Sequence, residues 1–297
     1  MRAPQNLLPL LLLAAGLPCL AVFLRAAWLS ERHWARPRAA PQRPAGWAGA
    51  QDVAFHTADG LRLQGWHAPS RNGAAVVLVH GLGQTRAGLL PEAEALRAAG
   101  FGVLLFDSRS HGGSEGDTPT WGDRERLDVR AALAFARSQP GTDPGRVGLL
   151  GFSVGASTAA LVAAEDARVP AVALLSPFTT LRENAVYDFR RFGLLSRAGA
   201  LLPYVLRGVD LDAVRPIDAL ARIHPRPVWM LVGEAEHGQD MAAELFAATC
   251  PPGTCWKVPG AAHGGFAEAS PEEYPRRLRA FFERGLAGAP APAAAAR

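Results

Sequence analysis

Arg146-Val147-Gly148-Leu149-Leu150-Gly151-Phe152-Ser153-Val154-Gly155 is the stretch whose reading decides the fold. An uninterrupted apolar run stops at a G-x-S-x-G turn, and an alanine-rich stretch of helical composition, 154–165, begins on its far side. A run with no alternation between apolar and polar residues suits a strand covered on both faces, so the segment reads as one strand, one tight turn and one helix. Gly151 and Gly155 allow a turn too close for larger side chains, which leaves Ser153 held at the tip in constrained backbone. That context makes Ser153 a candidate nucleophile.

The same alternation extends in both directions. Short apolar runs occur at 74–80 (AAVVLVH), 101–107 (FGVLLFD), 171–177 (AVALLSP), 227–233 (PVWMLVG) and 254–260 (TCWKVPG). Helical stretches are expected between them, at 85–99, 122–138, 154–165, 239–249 and 271–285. Two earlier pieces, QDVAFHT and LRLQGWHAP, alternate more clearly and are joined through ADG, as an antiparallel hairpin at a sheet edge would be. The expected class is α/β, with a mostly parallel eight-stranded sheet and helices on both faces. Residues 178–220 break the rhythm with FRRFGLLSRAGALLPYVLRG, too long for an ordinary connection, and read as a small helical cap-like insertion.

A serine hydroxyl needs a base, usually a histidine oriented by a carboxylate, and the chain order after this kind of turn is serine, acid, histidine. His263, in PGAAHGGF after the last predicted strand, is the expected base. The acid loop, GEAEHGQD, offers Glu234, Glu236 and Asp240. Glu236 is preferred because it stands three residues past Gly233, far enough from the strand end to reach an imidazole. Asp240 is the alternative, although its place suits the first turn of the next helix. For the oxyanion, Val154 and Leu82 are the expected backbone donors, with Gly83 behind Leu82. The loop His80-Gly81-Leu82-Gly83 brings backbone close to the substrate, and His80 is read as structural.

On these residues the chain resembles the α/β-hydrolase superfamily over about 52–286. Besides HGLG and GFSVG, Asp107-Ser108-Arg109-Ser110-His111-Gly112-Gly113-Ser114-Glu115-Gly116 is similar to the D-x-R-x-H-G-x-S-x-G loop of its lipase-like and peptidase-like branches. Trp121-Gly122 followed by Glu125 and Asp128 resembles the segment that enters the next helix there. The resemblance implies the α/β-hydrolase fold, acyl-transfer chemistry without a cofactor, and loop-building roles for Asp107 and His111. The usual acid of the family is Asp, so Glu236 is a departure.

Composition excludes other classes. Over 297 residues, 49% hydrophobic and 20% charged residues suit a globular chain. The net charge of +4 carries no nucleic-acid signal, because Lys257 is the only lysine and the arginines form no block. Three cysteines make no zinc-ligand spacing, so no metal is expected. Leu7 to Leu29 is apolar except for Arg25, 23 residues or roughly 35 Å as a helix, and residues 1–30 are therefore expected to anchor the chain in a membrane. With such an anchor the chain resembles membrane-associated Bem46-like hydrolases; a cleaved signal, giving a secreted protein, is the alternative. Arg25, Arg32, Arg36, Arg38 and Arg43 after the run favour a cytoplasmic domain, whereas a Cys250–Cys255 disulfide would favour export. Residues 31–50 read as a Pro/Ala/Arg-rich linker, 51–286 as the hydrolase domain and 287–297 as a disordered tail.

The resulting expectation is a membrane-tethered serine hydrolase acting on a small-molecule carboxylic ester through an acyl-enzyme. Peptide and thioester substrates use the same groups. The rival is a non-catalytic hydrolase-like protein that binds a lipid or partner.

Overall fold

The computed structural model describes residues 7–34, 36, 38–47, 49–250 and 254–287, with side chains from residue 16 onward. In chain order the elements begin with α1 (Leu7–Glu31), β1 (Gln51–His56), β2 (Arg62–Ala68), β3 (Ala75–Val79), α2 (Leu90–Ala98) and β4 (Gly102–Phe106). They continue with α3 (Glu125–Arg137), β5 (Val147–Phe152), α4 (Val154–Glu165), β6 (Val172–Leu175), α5 (Leu181–Val186) and α6 (Gly193–Leu206). The last are α7 (Pro216–Ile223), β7 (Val228–Gly233), α8 (Gln239–Thr249), β8 (Cys255–Val258), α9 (Phe266–Ala269) and α10 (Glu273–Gly285).

The eight strands form one sheet in the order β1-β2-β4-β3-β5-β6-β7-β8. β1–β2 and β2–β4 pair antiparallel, and every other neighbouring pair is parallel. All residues of β3, β4, β5, β6 and β7 are buried, which is why their sequences lack alternation. Successive side chains still serve opposite faces. Val76, Leu78, Leu150 and Phe152 join α2 and α10 through Leu96, Leu278 and Phe282. Val77, Val79, Val147 and Leu149 join α3, α4, α7 and α8 through Leu133, Ala160, Ile223 and Leu245. Helices therefore cover both faces, and the carboxyl ends of the parallel strands, where the chain turns into loops, collect the polar candidates.

Between β6 and β7 the insertion forms α5, a 3₁₀ segment (Tyr187–Phe192) and α6, and its core continues into the domain. Phe178, Leu181, Ala185 and Tyr204 pack with Val154 and Trp121, and with Trp34 from the segment before the domain. Trp47 of that same segment is buried against Trp66, ring centroids 6.0 Å apart. Cys250 and Cys255 are joined in a disulfide, Cα atoms 5.9 Å apart.

The expected membrane-spanning N-terminal helix is corrected. Among the described residues no helix is long and apolar enough to cross a membrane. The C-terminal turns of α1 meet the rest of the protein, while Leu17, Leu20, Val22, Leu24 and Trp28 stay exposed. Ala26 is buried beside Phe189 and Ala200, Ser30 Oγ donates to the Ala200 carbonyl (2.7 Å), and Glu31 pairs with Arg207. Gly199 of α6 approaches so closely that a Cβ there would lie 2.2 Å from the Phe23 carbonyl oxygen. The expected membrane localisation and tethering, and with them anchoring of the Bem46 type, are therefore without support. The expected tail beyond residue 287 lies outside the described residues.

Candidate active site

Ser153 stands between β5 and α4 with φ 54° and ψ −120°, a backbone conformation that is sterically costly for a residue with a side chain. Two hydrogen bonds hold it: its N–H donates to Leu175 O (2.8 Å), and its carbonyl accepts from Ser157 N–H (3.0 Å). The flanking glycines are required by close approach. A Cβ on Gly151 would sit 2.3 Å from the Gly155 carbonyl oxygen, and one on Gly155 would sit 2.2 Å from that of Val79. Gly81 is similarly confined, since a Cβ there would lie 2.9 Å from the Phe152 ring and 3.2 Å from Ser153 Cβ.

His263 is delivered by the loop after β8, where Gly264 and Gly265 adopt positive φ of 97° and 68° and bend the chain back over β5. Its ring lies on Phe152, centroids 4.9 Å apart, with Nε2 2.9 Å from Ser153 Oγ and Nδ1 2.5 Å from Glu236 Oε1. The Glu236 side chain is only 11% exposed, against 50% for His263, so the carboxylate is the sheltered end of the line. Its second oxygen accepts from Ser176 Oγ (2.6 Å) and from the Gly233 amide (3.1 Å). Ser176, at the end of β6 with φ 50°, was not singled out by sequence reasoning. A lone serine after an apolar run carries no signal of its own.

The other two acids are engaged elsewhere. Glu234 accepts from the Gly260 amide (3.3 Å). Asp240, in the first turn of α8, accepts from Tyr187 OH (2.6 Å) and from Arg190 Nη2 (3.0 Å), both from the insertion. The Tyr187 hydroxyl, then Arg190, hold its carboxyl down at about 2. Asp240 thus ties the acid loop to the insertion. Neither of its oxygens is bonded to His263.

The loop after β3 is pinned from below by two buried histidines. His80 Nδ1 donates to the Gly81 carbonyl (2.7 Å) while Nε2 accepts from the Ser108 amide (3.0 Å), so the ring is neutral. Burial lowers its pKa to about 4. His111, its ring centroid 5.0 Å away, is also held at about 4, by burial first and by His80 second. His111 Nε2 accepts the Gly83 N–H (3.3 Å), which leaves Leu82 N–H as the loop amide without a partner among the described residues. Asp107, fully buried, accepts from the Arg86 amide (2.8 Å), from Arg86 Nη1 (2.7 Å) and from the Gly113 amide (2.9 Å). Gly112 must be glycine here, since a Cβ would lie 2.1 Å from Asp107 Oδ2. Arg109 forks onto Asp128 and Asp59, and Glu125 closes the Trp121 turn by accepting from Thr120 and Gly122 amides (both 2.8 Å). Among the described residues no cluster of three or more His, Cys, Asp or Glu side chains could hold a metal ion.

A serine on a strand–turn–helix tip, with a histidine and a carboxylate in line above a parallel sheet, defines an α/β-hydrolase superfamily serine hydrolase. Residues 70–224 match the Hydrolase_4 family, described as serine aminopeptidase, S33, and the chain belongs to that family. An uncharacterized protein of Mycobacterium tuberculosis, Rv2307c, is 34% identical over 233 residues, 76% of this chain and 75% of the relative. Thiohydrolase aneE of Aspergillus aculeatus is 38% identical over 143 residues, 46% of this chain and 45% of that protein. In structure, the Pyrococcus furiosus esterase Pf2001 superposes with a TM-score of 0.70 at 24% identity, covering 84% of this chain and 99% of the esterase. The likeness to the esterase establishes the fold, and the family establishes a hydrolytic enzyme, which sets aside the non-catalytic reading.

Proposed function

We propose that the protein cleaves a small-molecule carboxylic ester through an acyl-enzyme intermediate, with Ser153 as nucleophile, His263 as base and Glu236 as the triad acid. The observation that carries this reading is the unbroken hydrogen-bonded line from Ser153 Oγ through both ring nitrogens of His263 to Glu236, at 2.9 and 2.5 Å. With its Nδ1 proton directed at Glu236, His263 offers Nε2 as the acceptor for the serine proton. Ser153 Oγ bonds to the carbonyl carbon while its proton passes to Nε2. Collapse of the tetrahedral adduct breaks the bond to the alkoxy oxygen, and the imidazolium returns that proton to the leaving alcohol. Water, deprotonated by His263, then attacks the acyl-serine, releasing the carboxylic acid and restoring Ser153. Glu236 stabilises the imidazolium in both halves.

The oxyanion would be met by the amides of Leu82 and Val154. Support for Leu82 over Gly83 is that Gly83 N–H is already taken by His111. The insertion at 178–220 is read as a cap whose packing on Val154 shapes the acyl side of the pocket. A thioester is the second reading, favoured by the 38% identity to a protein named a thiohydrolase.

The test is turnover of p-nitrophenyl acetate, butyrate and octanoate beside matched acyl thioesters, by wild type and Ser153→Ala. Ester hydrolysis that vanishes in Ser153→Ala supports the reading. Turnover of thioesters alone would replace it with the second, and ester turnover surviving in Ser153→Ala would overturn it.

A further inference from the structure

Away from Ser153, α1 and the insertion enclose a cavity of about 560 Å³, within the size range of small-molecule sites. Its body is apolar: Val22, Ala26 and Leu29 form one wall and Phe189 and Phe192 the other. Neither Ser153, His263 nor Glu236 lines it.

The charges at this cavity are unbalanced. Arg25, Arg32 and His33 line it together with a single carboxylate, Asp188. Asp188 is already engaged, its Oδ1 2.9 Å from His237 Nε2. Among the described residues no carboxylate pairs with Arg25 or Arg32; Arg32 rests on the Trp28 ring, 5.2 Å from its centroid. Two guanidinium groups beside an apolar trough fit an amphiphile with one anionic head. A carboxylate suits them best, since a guanidinium presents parallel N–H donors that match its two oxygens.

We propose that the cavity between α1 and the insertion binds a long-chain fatty carboxylate, its head on Arg25 and Arg32 and its tail along Phe189, Phe192 and Leu29. Binding at this site needs no turnover. The carboxylate is chosen to match the two guanidinium groups; only its source, the acid that ester cleavage releases, rests on the functional reading above. The site also lies beside the acid loop, because Asp188 holds His237, the residue after Glu236.

The experiment is calorimetric titration of the full-length Ser153→Ala protein with laurate, methyl laurate and dodecyltrimethylammonium. Two further proteins carry Arg25→Glu with Arg32→Glu, or Phe192→Asp. All three positions are exposed, with Phe192 at 57%, so the fold is expected to survive, and a thermal melt checks it. Laurate should bind one to one and more tightly than its methyl ester or the cation. Charge reversal at both arginines should weaken it by about tenfold or more, the loss of charge-assisted hydrogen bonds, and Phe192→Asp should weaken it too. No laurate binding, equal binding of the cation, or binding indifferent to both sets of substitutions would overturn the proposal. p-Nitrophenyl acetate turnover in the same arginine and phenylalanine variants with Ser153 restored separates the two claims. Lost laurate binding with retained turnover supports a site distinct from Ser153. Absent turnover even in wild type, with laurate still bound, would remove the ester reading and leave the cavity's occupant standing.

Discussion

Replacing Ser176 with alanine removes one hydrogen bond from the carboxylate that faces His263. The Ser176 hydroxyl donates to Glu236 Oε2 at 2.6 Å, on a side chain only 11% exposed, so water is a poor substitute. A hydrogen bond to a charged group contributes about 1.5–3 kcal/mol. The lower end applies, because the Gly233 amide still holds the same oxygen at 3.1 Å. If that energy is spent on keeping Glu236 aligned with Nδ1, kcat/KM should fall about tenfold, since 1.36 kcal/mol is a factor of ten in rate. The loss should appear in kcat with KM little changed, because Ser176 orients the acid and is not part of the substrate pocket proposed here. The strained backbone at φ 50° is shared by serine and alanine, so stability should change by only about 1 kcal/mol. The assay is steady-state hydrolysis of the best p-nitrophenyl ester, with the rate of fluorophosphonate labelling of Ser153 as a second readout. Unchanged kcat and labelling rate would refute the positioning role, as would a loss confined to thermal stability.

Gly155→Ala should prevent folding or destabilise the protein by about 3 kcal/mol or more, because the new methyl meets the Val79 carbonyl backbone at 2.2 Å; a chemical denaturation curve measures it. Trp34→Ala should cost about 3–5 kcal/mol in the same experiment, since Trp34 is 5% exposed and packs edge-on to Tyr204 and Trp121. Glu92, whose carboxyl burial raises to about 7, accepts from Tyr274 OH at 2.8 Å. Its folded-state pKa lies above the unfolded value, so this contribution is present in full below about 4.5 and is lost as pH rises through about 7; melts of wild type and Glu92→Gln across pH 4 to 8 should converge at the acid end relative to their separation at the alkaline end. His80 works in the opposite sense: its pKa is depressed to about 4, so its contribution is present above 6.5 and fades as pH falls through 4, which the Glu92→Gln comparison subtracts out.

The sheet was readable because burial on both faces leaves a direct trace in composition. Val147 to Phe152 and Val228 to Gly233 could be placed as strands from unbroken apolarity alone. The edge hairpin was readable for the opposite reason: β1, at the border of the sheet, keeps an exposed face and therefore alternates. Local motifs located Ser153 and His263, but their separation of 110 residues meant that only the folded chain could set the 2.9 Å between them. The partners of Asp240 were invisible for the same reason, since Tyr187 and Arg190 reach it from 53 and 50 residues away. Ser176 acts through one hydroxyl and a local backbone distortion, neither of which leaves a pattern. At two positions of the N-terminal helix the neighbours are protein, which hydropathy does not reveal. Ala26 and Ser30 look apolar or neutral in sequence, yet their surroundings are α6 and Phe189. Trp34 and Trp47, in what read as a spacer, are buried by elements distant in the chain.

The central claim is that Glu236, and not Asp240, orients His263 against Ser153, and the most direct measurement is kcat/KM for p-nitrophenyl butyrate in Glu236→Gln and Asp240→Asn. An amide at 236 should favour the wrong imidazole tautomer and lower the rate by roughly 10³- to 10⁴-fold, as the corresponding change does in other serine hydrolases. An amide at 240, where the oxygens face Tyr187 and Arg190, should leave the rate within about twofold, the effect of a surface contact. A large loss in Asp240→Asn with Glu236→Gln near wild type would contradict the account.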